Sequence, residues 1–170
     1  MSDDKQRAIE LIHEGQALVV DGKTAEALDK FKASVDLFPT PEGYTYWAWM
    51  LSYKNELEEC ISLCKRAVEL DSEFGNAYND IGSYLIELGR LEDAIPWLIK
   101  AKEAKNYDVR HFPYLNLARV YLKLGRDDDA MEEYTSLLEM DPNNIEGQFL
   151  SEFLADPQEK GRFSKLFSIN

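Results

Sequence analysis

Cys60 and Cys64 stand four residues apart, a spacing that puts both thiols on one side of a helix, where they could begin a soft metal site. Structural zinc takes four ligands, and the chain has no further cysteine to offer. His13 and His111 are the two histidines, and neither adjoins a serine or cysteine that would make a nucleophile–base pair. The run Asp127-Asp128-Asp129 lacks the spacing of a calcium loop. Directly after Gly125-Arg126, it is placed to receive the amides of a starting helix and to complement the helix dipole. No phosphate-cradling glycine loop and no dinucleotide fingerprint is present. The reading from these residues is no catalytic residue, no metal site, no cofactor and no enzyme activity.

The chain has 170 residues, enough for one compact domain or one short solenoid. Its net charge is −13, a sign that repels nucleic acid and suits a basic or polar partner. No stretch of about 18 apolar residues exists, so no membrane span is expected. The polar opening Met1–Lys5 has no apolar core of a secretory signal, and two cysteines cannot make a disulfide scaffold, so the expected location is cytoplasmic.

The elements that position these side chains emerge from an internal repeat. Gly22, Asn55, Gly89 and Gly125 mark four turns, separated by 33, 34 and 36 residues. Five residues after each comes a small side chain: Ala27, Cys60, Ala94 or Ala130. Four further on comes a larger one: Phe31, Cys64, Leu98 or Tyr134. Before each turn the order is again small, then large: Gly15 and Leu18, Ala48 and Leu51, Gly82 and Leu85, Ala118 and Tyr121. Pro39 and Pro142 close the first and fourth units.

This pattern resembles the tetratricopeptide repeat family, most closely over Gly75–Asp108, with Tyr78, Ile81, Gly82, Leu85, Gly89, Ala94, Leu98 and Ala101. The fourth unit follows with Tyr114, Leu117, Ala118, Tyr121, Gly125, Ala130, Tyr134 and Pro142. The resemblance implies an all-α, right-handed α-solenoid of about four helix hairpins in a single domain over 1–170. The repeats are expected at approximately 8–40, 41–74, 75–110 and 111–144, with a capping helix and tail over 145–170. Each unit is too small to bury its own apolar face, so the hairpins must stack. Cys60 and Cys64 fall on packing positions and are expected to be core. Pro96 removes an amide from a second helix, and a local kink is expected there. Two extra residues are expected in the Tyr107–Arg110 joint, altering the stacking between the last two units. Ile145–Ala155 reads as the capping helix, and Phe163, Leu166 and Phe167 beyond Pro157 as residues that cover the last repeat or dock elsewhere.

In such arrays the first helix of each pair lines the concave side, and residues not needed for packing are free to read a ligand. By phase these include Tyr46, Trp49 and Tyr53, then Asn76, Asn79 and Asp80, then Asn116, Arg119 and Lys123. The aromatic trio could receive apolar or cationic side chains, the amides a peptide backbone, and the two cations a carboxylate. One branch of the family clamps the C-terminal carboxylate of ATP-driven chaperones with Lys, Asn and Arg. The matching positions here are Ile12, Gln16, Tyr46, Asn76 and Asp80, and one unit later Thr45, Trp49, Asp80, Phe112 and Asn116, so a chaperone-tail clamp is disfavoured. The functional expectation is a non-enzymatic protein- or peptide-binding adaptor or scaffold. The alternative is a self-assembling scaffold or the regulatory subunit of a larger complex.

Overall fold

The computed structural model describes residues 2–107 and 109–156. Among them run nine helices: α1 (Asp3–Val20), α2 (Thr24–Leu37), α3 (Pro41–Ser52), α4 (Leu57–Leu70), α5 (Gly75–Glu87), α6 (Leu91–Glu103), α7 (His111–Lys123), α8 (Asp127–Met140) and α9 (Ile145–Ala155). The first eight form antiparallel hairpins that stack in chain order, and α9 lies against α8.

The turn within each hairpin is built alike. Gly22, Asn55, Gly89 and Gly125 take φ of 75°, 60°, 73° and 72°, the left-handed region that ends a helix. In each turn the next amide reaches back to a carbonyl five residues earlier: Lys23 to Leu18, Glu56 to Leu51, Arg90 to Leu85 and Arg126 to Tyr121. This bond satisfies a carbonyl that the helix end leaves without an internal partner. Between hairpins the starts differ. The Thr40 hydroxyl accepts from the Gly43 amide at 3.0 Å, with Pro41 in the first turn, and the Asn144 side chain accepts from the Gly147 amide at 3.0 Å.

Small residues set the distance within a hairpin. A Cβ on Gly15 would stand 2.5 Å from the Phe31 ring, and one on Gly82 would stand 2.4 Å from Leu98. Phe31, Leu98 and Tyr134 are fully buried, as are Ala48, Ala94, Ala118 and Ala130. Cys60 and Cys64 are buried free thiols in this core. The Cys60 thiol donates to the Ala48 carbonyl at 3.1 Å, and burial pushes the Cys60 pKa up to about 11. Both thiols therefore act as small core side chains.

Helix α6 runs unbroken through Pro96. The connector after it is pinned to the connector before α5: the Gly75 amide donates to the Asn106 carbonyl and the Asn106 amide to the Glu73 carbonyl, each at 2.9 Å. Gly75 leaves room for buried Tyr107, whose Cβ a side chain there would meet at 2.4 Å. Asp108 in the joint, and the expected cover from Phe163, Leu166 and Phe167, lie outside the described residues.

Helices α1, α3, α5 and α7 touch one another in succession, whereas the second helices of the hairpins meet chiefly their own partners and the next first helix. The stack therefore curves toward the first helices, which line its inner face.

Candidate functional site in the inner groove

Two adjoining clefts occupy the N-terminal half of the inner face. The larger, of about 900 Å³, lies between α1 and the start of α3; Ile9, Ile12, His13 and Gln16 form one side of it, Phe38, Pro39 and Pro41 the other. The second, of about 430 Å³, lies between α3 and α5. Helix α3 contributes Glu42, Thr45, Tyr46 and Trp49 to it; Phe74 and, from α5, Asn76, Asp80 and Tyr84 complete it. Glu42 and Tyr46 line both clefts, so the two form one continuous furrow.

The positions follow from helical phase. Residues 42, 45, 46, 49 and 53 recur at three- and four-residue steps, as do 76, 80 and 84, so each set forms a stripe on one side of its helix. An aromatic wall rises along α3. Tyr46 stacks on buried Phe31 with ring centroids 5.1 Å apart, then meets Trp49 at 6.3 Å, which meets Tyr53 at 5.9 Å. Gln16 holds the Tyr46 hydroxyl from α1. Trp49 and Tyr53 remain 37% and 63% exposed, so the outer part of the wall faces solvent.

Asp80 stands on the opposite side. Loss of water around its carboxyl pushes the pKa up to about 7, partly offset by a hydrogen bond from the Asn79 amide. Tyr84 beside it is buried. Burial raises its hydroxyl pKa, and the neighbouring Asp80 carboxylate adds to the shift.

The remaining groove candidates divide into two further groups. Asn79 is buried and faces α7, where its carbonyl accepts from the Asn116 amide at 3.0 Å; the same amide reaches Ser83 at 3.2 Å. These amides join α5 to α7, so part of the capacity expected for a ligand backbone is used within the protein. Arg119 makes a two-pronged ion pair with Glu146 of α9, one arm at 2.8 Å, tying the end of the groove to the cap. Lys123 is exposed at the end of α7 and forms no ion pair with the described residues. The second cleft thus gathers Tyr46, Trp49, Asn76 and Asp80; Tyr53 is not among its lining and continues the aromatic wall beyond Trp49, while Asn79, Asn116, Arg119 and Lys123 lie toward the C-terminal end. Sequence reasoning left out Glu42 and Tyr84, although extending the stripes by one helical step, from Tyr46 back to Glu42 and from Asp80 on to Tyr84, reaches both.

Stacked helix hairpins with glycine-turned joints and an open inner furrow define a helical-repeat protein. The family model for the tetratricopeptide repeat matches residues 75–108 and 113–144, and the chain is a tetratricopeptide-repeat protein. The Protein STIP1 homolog of Dictyostelium discoideum is 38% identical over 95 residues, which cover 53% of this chain and 17% of that protein. The chain spans about a sixth of the length of the curated relatives it matches. Among solved structures, that of Pseudomonas aeruginosa pilF superposes with a TM-score of 0.84 at 19% identity, covering 98% of this chain and 78% of that one. The first tetratricopeptide domain of Spaghetti (RPAP3), bound to the HSP90 peptide SRMEEVD, superposes with a TM-score of 0.63 at 24% identity, covering 71% of this chain and 94% of that one. Tetratricopeptide proteins serve in protein interaction, and no described helix here is long and apolar enough to cross a membrane.

Proposed function

We propose that this chain is a non-enzymatic adaptor that holds an extended segment of a partner protein in the inner furrow. The observation that carries this reading is the continuity of the two clefts along α1, α3 and α5, walled by aromatic rings with Trp49 and Tyr53 open to solvent. An extended chain of about 5–10 residues spans such a furrow, given about 3.3 Å of rise per residue. The solved complex of the Spaghetti domain with a peptide, on the same fold, supports peptide capture as the mode. The acidic peptide of that complex is not the ligand proposed here, because Ile12, Gln16, Tyr46, Asn76 and Asp80 supply no cation at the clamp positions. The setting proposed is cytoplasmic, in keeping with two free buried thiols, and the −13 net charge disfavours nucleic acid as the partner.

The test is capture from native lysate with the wild-type chain and with Trp49→Ala/Tyr53→Ala, whose helicity is confirmed first. The expected result is a partner held by the wild type and lost by the variant. A partner held equally by both moves recognition away from the furrow and overturns the reading.

A further inference from the structure

Trp49 differs from the other two tryptophans in what stands over its ring. Lys32 lies over Trp47 at 5.4 Å, and Lys65 and Lys100 lie over Trp97 at 5.7 and 5.4 Å. Tyr78, Tyr114 and Tyr121 likewise receive Lys100, Lys102 and Arg126. Among the described residues no cation stands over Trp49 or Tyr46, and none lines the cleft between them and α5. Instead the cleft holds the carboxylates of Glu42 and Asp80. Aromatic rings and carboxylates around one cleft are the two attractions a cationic side chain uses, and both strengthen as a bound segment excludes water.

We propose that the cleft between α3 and α5 receives a lysine or arginine side chain of the partner segment, its cationic head between the Trp49 and Tyr46 rings and the Asp80 and Glu42 carboxylates. This rests on the reading of the furrow as a peptide groove and assigns the residue class read at its centre. Among the described residues the titratable groups facing Asp80 are acidic or neutral: Cys64 from α4, Tyr84 on its own helix, Tyr107 from the α6–α7 connector and Glu42 across the cleft. Burial holds the Asp80 carboxyl at about 7, and an incoming cation stabilises its charged form. The −13 net charge draws a basic segment toward the groove. The neighbouring cleft, with Ile9, Ile12 and Phe38, then takes an apolar residue of the same segment.

The experiment is selection from a random decapeptide library displayed on phage, against the full chain. Binding of the selected peptides is then measured against wild type, Trp49→Ala, Asp80→Asn and Glu42→Gln, each checked for helicity. The expected result is a lysine or arginine at one fixed position. Its replacement by norleucine and the Asp80→Asn change should each lower affinity about tenfold, and together by far less than a hundredfold, because both remove one contact. Trp49-dependent peptides with no basic position, or with an acidic one, overturn the cation site and leave the groove reading standing. Peptides indifferent to Trp49→Ala overturn both. A dimer that Trp49→Ala dissolves, with no peptide selected, overturns the site in favour of a second copy as occupant.

Discussion

Asp80 is the residue at which the proposed cation site costs the chain stability. Its carboxyl is raised from the ordinary range near 4 to about 7, so the folded state keeps a proton that the unfolded chain has released. The penalty is absent below about pH 4, grows as pH rises and is complete above about 7. Asp80→Asn should therefore match wild type near pH 4 and exceed it by about 1–2 kcal/mol at pH 8, less than the full shift implies because the residue is partly open to water. Paired urea melts across that range check this, and a pH-independent difference would contradict it. Glycine at residue 89 makes a second case. Its turn has φ of 73° with nothing within 4 Å of where a Cβ would lie, so the demand there is conformational and not spatial. Gly89→Ala should cost about 1 kcal/mol by the left-handed penalty alone, and Gly89→Asn less, measured by the same melts.

Among the elements, α9 is the one whose role is divided between two sides. Leu150 is buried against the repeat core and Phe149, its neighbour in sequence, is 62% exposed. Leu150→Ala should cost about 2–4 kcal/mol and Phe149→Ala within about 0.5, a contrast that thermal denaturation reads directly. Equal costs would mean that α9 does not seal the stack. The hairpin turns and the bounds of α9 were legible in the sequence because each rests on local chemistry: a left-handed residue at fixed spacing, or a capping Asn144. The partners of Asn79 and Arg119 were not legible. Asn79 meets Asn116 at a separation of 37 residues and Arg119 meets Glu146 at 27, and phase alone places both side chains on the inner face without saying that another helix already holds them. Glu42 and Tyr84 were within reach of the periodicity, yet only the packing of α3 beside α5 shows that the two stripes enclose one space.

For the whole molecule, the consequence of stacking is a division of surfaces. Among the described residues the inner face carries Trp49 with no cation over it, while Trp97 on α6 stands over a different cleft, between α4 and α6, beneath Lys65 and Lys100. The net charge of −13 biases the entire molecule toward basic partners, so added salt should weaken capture of a lysine- or arginine-bearing segment. Raising sodium chloride from 50 to 500 mM should lower that affinity several-fold, mostly through the association rate, as stopped-flow measurements would register. The three indole N–H groups at Trp47, Trp49 and Trp97 provide reporters spread over the molecule. The most direct test is a proton–nitrogen NMR titration of the full chain with a selected decapeptide, following those three signals. Recognition in the furrow predicts that the Trp49 signal moves with saturation while Trp47 and Trp97 stay in place. Movement of Trp97 or Trp47 with Trp49 unmoved would contradict it.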